Sequence, residues 1–352
     1  MNIWLRRFLA VFALFFVAQS VAKAQDLIGD FNADVFFDNR EYMNFSETTP
    51  ETIFGLRLAP TIGISLDSVH IFKIGVNPLF EFGSRKRVGD IAPIAYYQFH
   101  KKVLNEKLQI DFLFGMFART PWLDENPRFL LNDTLQYYKP NIEGALLRLA
   151  YGKKSYFSLW TDWTLRQTDR DRENFLSGIT GKQYIKDFFL GYALTLFHNA
   201  NPGKPQPDDA YIQDNYGHYL NIGFEKKDWG KLKLLHISTG HAISAFRDRG
   251  LEDNFHISHG LLSNVAVHYW HVKLIGTHYW ANNPAILRWG DKFYKATQYG
   301  RIDLQGLMNS QKWNVQFMLG FSLHFTKYGI DHTQYVKVGY HLNYLNKSLK
   351  KA

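Results

Sequence analysis

The residues best suited to do chemistry lie in a histidine-rich stretch of the chain. Nine of the 14 histidines fall between His198 and His278, and His236 and Ser238 stand two positions apart within it. Side chains at positions i and i+2 of a strand share one face, so a strand here would place an imidazole beside a hydroxyl. A serine becomes a nucleophile when an adjacent base takes its proton. The pair therefore has the residue types and the spacing of a hydroxyl with an adjacent base.

Metal binding is a second chemistry open to the same stretch. His241, His256 and His259 carry imidazoles, which suit transition metals. No carboxylate or fourth ligand follows them at a diagnostic spacing. We therefore predict no metal site and no cofactor, with these three histidines as the alternative. A further alternative is that the histidines are polar loop and rim residues without chemistry.

The element that would position such residues is clearest near the end of the chain, from Lys312 to Phe325. Its large apolar residues are Trp313, Val315, Phe317, Leu319, Phe321, Leu323 and Phe325, and they alternate with Lys312, Asn314, Gln316, Met318, Gly320, Ser322 and His324. Strands of soluble proteins usually run for about five or six residues. A strand that crosses a bilayer at a tilt needs about 9–11. This run favours a membrane strand over a strand of a secreted sandwich.

The same alternation recurs along the chain and predicts about 16 strands, within a range of 12–16. A weakly patterned strand from Glu173 to Thr180 is included because it keeps short turns and long loops in alternation. The predicted fold is all-β: a transmembrane, antiparallel, up-and-down barrel with short periplasmic turns and long extracellular loops. The long segment Arg119–Pro140 either folds inward to narrow the lumen or is an ordinary extracellular loop.

The N-terminal residues predict export. Arg6 and Arg7 precede an apolar run, Phe8 to Ala18, and Ala22-Lys23-Ala24 is a small-x-small cleavage site. Residues 1–24 are thus predicted to be a cleaved signal peptide, and residues 25–352 a single barrel domain in the outer membrane. The sequence contains no cysteine, so no disulfide framework is available.

Composition agrees with this class. Aromatic residues make up 16% of the sequence, as expected for a barrel with aromatic girdles. The net charge of +9 falls to about +6 without the three basic residues of the signal peptide, which mildly favours anionic solutes or lipopolysaccharide. The basic residues are scattered rather than clustered, so we expect no nucleic-acid partner.

Charged residues on the inward face of the predicted strands are candidates to line a pore. On the lipid face each charge would cost several kcal/mol near the midplane, whereas in a lumen it is hydrated or paired. The alternatives are structural ion pairs and a lining that selects solutes. The candidates are Arg57, Lys73, Glu81, Asp111, Arg148, Asp162, Arg166, Arg301, Asp303, Lys312 and Lys337.

On the signal peptide, the alternating strands and the turn–loop asymmetry, the chain resembles porin-like outer-membrane β-barrels of Gram-negative bacteria. The resemblance implies a channel for small polar solutes, with a weak preference for anions or sugars, and not an enzyme. It also implies outer-membrane lipid, lipopolysaccharide and the barrel-assembly machinery as partners, and leaves the oligomeric state open. One departure is the basic tail that follows Tyr344-Leu345, where such barrels commonly end on an aromatic residue.

A shorter resemblance points to the alternative function. His236-Ile-Ser238-Thr-Gly240 resembles the His-x-Ser-Asn-Gly segment of outer-membrane phospholipases and, more loosely, of lipid A deacylases, with Thr239 where that segment has Asn. It implies a lipid-active hydrolase with Ser238 as nucleophile, His236 as base and both side chains on the outer wall. The phase of Leu232 and Leu234 would turn them outward, and the phase of Leu235 and Ile237 inward. A plugged structural or adhesive barrel is the third alternative.

Overall fold

The computed structural model describes residues 25–85, 88–152, 154–205, 211–252, 254–284 and 288–346. The predicted signal peptide and the basic tail beyond Asn346 lie outside the described residues. The strands are β1 (Gln25–Glu41), β2 (Glu51–Leu66), β3 (His70–Glu81), β4 (Val88–Val103), β5 (Leu108–Ala118), β6 (Asn141–Tyr151), β7 (Ser155–Leu165), β8 (Asn174–Ile185), β9 (Phe188–Asn199), β10 (Ile212–Trp229), β11 (Leu232–Arg249), β12 (His256–Tyr269), β13 (Val272–Ala281), β14 (Gln298–Ser310), β15 (Val315–Thr326) and β16 (Gly329–Asn346).

These strands form one closed, antiparallel barrel. Each strand pairs with its neighbours in the chain, and β1 closes the ring by pairing with β16 from Leu27–Asn346 to Glu41–His332. The predicted fold class and outer-membrane location are confirmed. Within the described ranges, no helix is both long and apolar enough to cross a bilayer.

The alternating sequence forms strands because one face meets lipid and the other meets the lumen. On β2, Phe54 is 42% exposed on the outer face, whereas Arg57 and Ser65 are buried on the inner face. The weakly patterned segment after residue 172 is the full strand β8. The run that begins at Lys312 needs one correction, because β15 starts only at Val315. The preceding residues form a turn, in which Asn314 has φ of 53°.

The two ends of the barrel differ, as predicted. Short turns join the strands at one end. Between β2 and β3, for example, Asp67 and Ser68 have φ of 50° and 56°, and Val69 N donates to Leu66 O at 3.0 Å. Positive φ at both central residues is the geometry of a two-residue hairpin turn whose twist matches its strands. Longer loops join the strands at the other end, which is the extracellular end in barrels of this class.

The loop between β5 and β6 folds into the lumen, the first of the two alternatives for it. It contains a short helix, α1 (Leu135–Tyr138). Phe129 and Leu130 are buried, and they belong to one apolar cluster with Trp160 and Phe197 of the inward strand faces. The loop between β13 and β14 adds Phe293 and Tyr294, from a 3₁₀ turn at Lys292–Lys295, to the same cluster. We call the inserted residues 119–140 and 288–297 the plug.

Ion pairs fix the plug to the wall. Arg128 Nε lies 2.8 Å from Asp133 Oδ2, and Arg128 Nη1 lies 3.7 Å from Asp303 Oδ2 on β14. Arg301 Nη2, also on β14, lies 3.8 Å from Asp133 Oδ2. Burial alone would raise the pKa of Asp133, but the guanidinium groups of Arg128 and Arg301 lower this pKa well below its usual range. Asp133 therefore stays ionised and links plug to wall.

Candidate functional site

The predicted pair, His236 and Ser238, forms a hydrogen-bonded chain with a third residue. Ser238 Oγ lies 3.1 Å from His236 Nε2, and His236 Nδ1 lies 3.2 Å from Glu225 Oε2. The two strands β10 and β11 position the three groups, because Glu225 is the residue opposite His236 in their register. Glu225 was not among the residues predicted from the sequence. Counting back from the turn at Gly230 would have found it, since that turn sets the register of this hairpin.

Glu225 and His236 are both held in place. Tyr184 Oη donates to Glu225 Oε1 at 3.0 Å, and Lys227 Nζ lies 3.0 Å from the same oxygen. The Phe189 ring stacks on the His236 ring, with centroids 5.3 Å apart. An ionised carboxylate only accepts, so the network is satisfied when His236 Nδ1–H donates to Glu225 and Nε2 accepts from Ser238. That tautomer is the one in which the imidazole can act as a base.

The site faces the lumen, not the lipid. Ile237 is 47% exposed on the outer wall, whereas its neighbour Ser238 is 5% exposed on the inner wall. The outward placement implied by the short resemblance is wrong. Strand β11 keeps one register against β10 throughout and, from Leu234 onward, one register against β12. Leu234 therefore shares the inward face of His236 and Ser238. The phase set by Leu235 and Ile237 is the one that continues.

The site lies directly under the plug. Lys182 Nζ, on β8, contacts Glu125 Oε2 of the plug and lies 3.8 Å from Glu225 Oε2. Asn264 stands opposite Ser238 in the β11–β12 register. Thr277 Oγ1 donates to Asn264 Oδ1 at 2.9 Å, which turns the amide N–H groups of Asn264 toward other acceptors. Polar side chains therefore lie next to the hydrogen-bonded chain on the neighbouring strands.

The three histidines considered for a metal do not come together. His241 Nε2 and His259 Nδ1 lie 3.4 Å apart on the outer face. His256 Nε2 instead contacts Glu252 Oε2 at 2.6 Å. In the described part of the chain, no group of three or more potential ligands could hold a metal ion.

Most of the candidate lining residues are on the inward wall, where several contact the plug. Arg57 Nε donates to Tyr137 O at 2.7 Å, Tyr138 Oη donates to Glu81 Oε1 at 3.3 Å, and Lys337 Nζ donates to Gln136 Oε1 at 3.2 Å. Pairs or ring contacts also engage Lys73 with Asp30, Asp111 with His100, Arg148 with Tyr156, Asp162 with Arg119, and Arg301 with Asp303.

Two of the candidates are not on the wall. Arg166 follows the last residue of β7 and lies in a loop, and Lys312 lies in the turn before β15. Both residues lie just outside a strand to which the alternating pattern was extended. Outside a strand, alternation does not determine which way a side chain points.

Comparison of the sequence with protein families gives a match over residues 19–344 to the lipid A 3′-O-deacylase-type family. The chain belongs to this family. The expectation that the protein is not an enzyme is therefore wrong, because the family is an enzyme family. No protein with a curated description matches the chain in sequence.

Solved structures that resemble this member of the family are outer-membrane barrels. OmpT of Vibrio cholerae (trimer form) has a TM-score of 0.54 and 8% identity, over 91% of this chain and 100% of that one. A loop L8 deletion mutant of OmpT has a TM-score of 0.51 and 10% identity, over 91% and 99%. OprB of Pseudomonas putida has a TM-score of 0.45 and 10% identity, over 92% and 96%. At such identities the two OmpT structures support the fold alone.

Proposed function

We propose that the protein hydrolyses an ester that joins an acyl chain to lipid A. Ser238 is the nucleophile, His236 the general base and Glu225 the carboxylate that orients it. The observation that carries the proposal is the continuous hydrogen-bond chain from Glu225 through His236 to Ser238. It occurs in a chain that belongs to the lipid A 3′-O-deacylase-type family. Lipid A, and hence lipopolysaccharide, is the partner that the reaction requires.

The reaction follows from the arrangement of these three groups. Ser238 Oγ attacks the ester carbonyl while His236 Nε2 takes the hydroxyl proton. The bond between the acyl carbon and the sugar oxygen then breaks, and His236 returns the proton to the departing sugar oxygen. Water next attacks the acyl-serine with His236 again as base, which releases the fatty acid and restores Ser238. The carboxylate of Glu225 stabilises the imidazolium that forms in each half.

Asn264 is the residue best placed to stabilise the tetrahedral intermediate. It is the cross-strand neighbour of Ser238, and Thr277 fixes its amide orientation by donating to Oδ1. Amide donors aimed at a developing oxyanion are worth roughly 10²–10³ in rate. We therefore assign Asn264 as an oxyanion donor in this proposal.

The interior of the barrel favours hydrolysis over the passage of small polar solutes. A channel of this class has a polar, water-filled interior. Here the loop half of the lumen is occupied by buried apolar residues, among them Leu130, which is 0% exposed. Since Ser238 faces the lumen, the ester must reach the inner wall below the plug. Recognition by the barrel-assembly machinery stays a prediction from the sequence.

The test is deacylation of lipid A by the purified, folded protein in detergent micelles, followed by mass spectrometry of the lipid and of the released fatty acid. We expect Ser238→Ala to lower the rate by at least about 10⁴-fold. The matched control is Ser244→Ala, which removes a buried hydroxyl from the inward face of the same strand outside the hydrogen-bonded chain. Full activity in Ser238→Ala would refute the assignment of the nucleophile. An inactive wild type that is correctly folded would refute the function.

A further inference from the structure

A row of polar side chains crosses the lipid-facing wall of three adjacent strands. Thr239, Ser263 and His278 stand opposite one another in the registers of β11, β12 and β13. Thr239 and His278 are exposed, and Thr239 Oγ1 lies 2.8 Å from Ser263 Oγ. Polar and ionisable groups are costly on a wall that faces hydrocarbon, and such residues usually mark a functional site. We call these three residues the outer polar row.

A groove begins at the outer polar row. Its volume is about 350 Å³. The outward-facing residues that line it are Ser263, Val265, Gly276, His278, Gly300, Ile302 and Phe325, and Thr277 and Arg301 of the same strands also contribute to the lining. Two glycines create the groove, because neither presents a side chain to the lipid. A Cβ at Gly276 would meet nothing within 4 Å, and a Cβ at Gly300 would meet only the Phe325 side chain, at 3.5 Å or more. Packing therefore does not require glycine at either position.

The polar end of the groove points toward the loops, as the head group of a lipid in the outer leaflet does. On β13, the next outward residue toward the loops after His278 is Trp280, which is 48% exposed. Aromatic residues of this kind form the girdle at the membrane interface. Toward the turns, the outward residues around the groove are apolar, and they include Val265 and Ile302. The polar end thus lies about 7 Å along the strand from the girdle, at roughly 3.3 Å per residue.

We propose that this groove binds one acyl chain of lipid A from the outer leaflet. The ester or hydroxyl oxygen of the chain lies at Ser263 and His278, and its methylene groups run along Gly276, Gly300 and Ile302. The choice of lipid A rests on the proposed function, whereas the acyl-chain groove does not.

Groove binding and hydrolysis can be tested separately. Thr239 of the outer polar row and Ser238 of the catalytic chain are consecutive residues on opposite faces of β11. A substitution on the outer face therefore leaves the hydrogen-bonded chain on the inner face intact. Conversely, Ser238→Ala supplies a background in which bound lipid A is not consumed.

The experiment is photo-crosslinking in proteoliposomes that contain lipid A with a diazirine on one acyl chain, with the Ser238→Ala protein as the host. Mass spectrometry of the peptides is expected to find the label concentrated on Val265, Ile302 and Phe325. Gly276→Leu and Gly300→Leu, which fill the groove, should lower that labelling at least fivefold. Gly306→Leu is the matched control, because it also adds a lipid-facing side chain on β14, where a Cβ would meet only Leu319 O at 3.9 Å.

Three outcomes decide whether the groove binds an acyl chain of lipid A. Label in the groove that is lost in both leucine variants and kept in Gly306→Leu supports the proposal. Label spread evenly around the barrel, or unchanged in the groove-filling variants, overturns the groove. A phosphatidylethanolamine probe with the same diazirine forms the second arm. If it labels the groove as strongly as lipid A does, the assignment to lipid A is overturned. None of these results depends on turnover, so a failure of the groove is distinct from a failure of the hydrolase.

Discussion

Replacing Glu225 by glutamine gives the sharpest test of the catalytic chain. The change keeps the size and shape of the side chain but replaces one carboxylate oxygen by an NH₂ group. Glu225 Oε2 now lies 3.2 Å from His236 Nδ1. Tyr184 Oη and Lys227 Nζ both approach Oε1, and both are donors. They hold the glutamine carbonyl on their side and so direct its NH₂ group toward His236.

The expected loss follows from the tautomer. An NH₂ group facing Nδ1 favours the imidazole with its proton on Nε2, because Nδ1 then accepts. Protonated Nε2 cannot take the proton of Ser238, 3.1 Å away. A carboxylate-to-amide change that traps the wrong tautomer in a triad of this kind costs about 10⁴ in kcat. We expect a loss of about 10²–10⁴ in kcat here with little change in KM, since Glu225 does not touch substrate.

The assay is the rate of fatty-acid release from lipid A by Glu225→Gln, compared with Tyr184→Phe. Tyr184→Phe removes one donor to the same carboxylate and keeps the carboxylate itself, so its kcat should fall by less than about tenfold. A Glu225→Gln enzyme with wild-type kcat would refute the role of Glu225. Equal losses in both variants would show that the carboxylate matters only for packing. A rise in KM at unchanged kcat would place Glu225 in substrate binding instead.

Two further predictions concern the plug. Wild-type protein added to planar bilayers should give no sustained conductance, because buried apolar residues such as Phe129 and Leu130 fill the loop half of the lumen. Steady open-channel currents would contradict the account of a filled lumen. The second prediction concerns Asp133→Asn, which should lower the midpoint of thermal unfolding in detergent. The pKa of Asp133 is held well below its usual range in the folded protein. The stabilisation by its carboxylate is therefore fully present above the pKa of an aspartate in the unfolded chain, about 4, and is lost as pH falls from there through the lower folded pKa. The difference between variant and wild type should therefore persist from pH 7 to about pH 4 and shrink only below it. A difference that vanishes by pH 5 would refute the ion-pair account.

The fold could be predicted because lipid imposes the alternation. Every spanning strand must show an apolar face outward, so even the weak pattern of β8 could be assigned once turns and loops had to alternate. The site could be predicted only in part. Spacing brought His236 and Ser238 together, but the sequence left their face open, because Leu234 and Leu235 are consecutive apolar residues that give opposite phases. The choice between the two phases is made by the pairing of β11 with β10 and β12.

The sequence left the inward fold of segment 119–140 as one of two alternatives and did not point to Glu225, because both features depend on contacts between distant parts of the chain. The segment 119–140 has the polar and proline-bearing composition of an external loop. One signal within it is the run Phe129-Leu130-Leu131, since an exposed loop rarely carries three consecutive large apolar residues. A second signal is on β7, where Trp160 places a large apolar side chain on the inward face at the middle of the strand, although a channel wall would be polar there.

The position of the catalytic chain relative to the plug has a chemical consequence. In the proposed reaction, charge develops on the ester oxygen and on His236, and fixed donors stabilise such charge best where bulk water is excluded. The plug closes the lumen directly above the site, and Lys182 joins the two parts by contacting both Glu125 of the plug and Glu225. The same cation therefore pairs with the carboxylate of Glu225 and with the plug. A barrel that only passed solutes would have no use for this arrangement, whereas a hydrolase gains from it a fixed carboxylate and a lumen closed to water on one side.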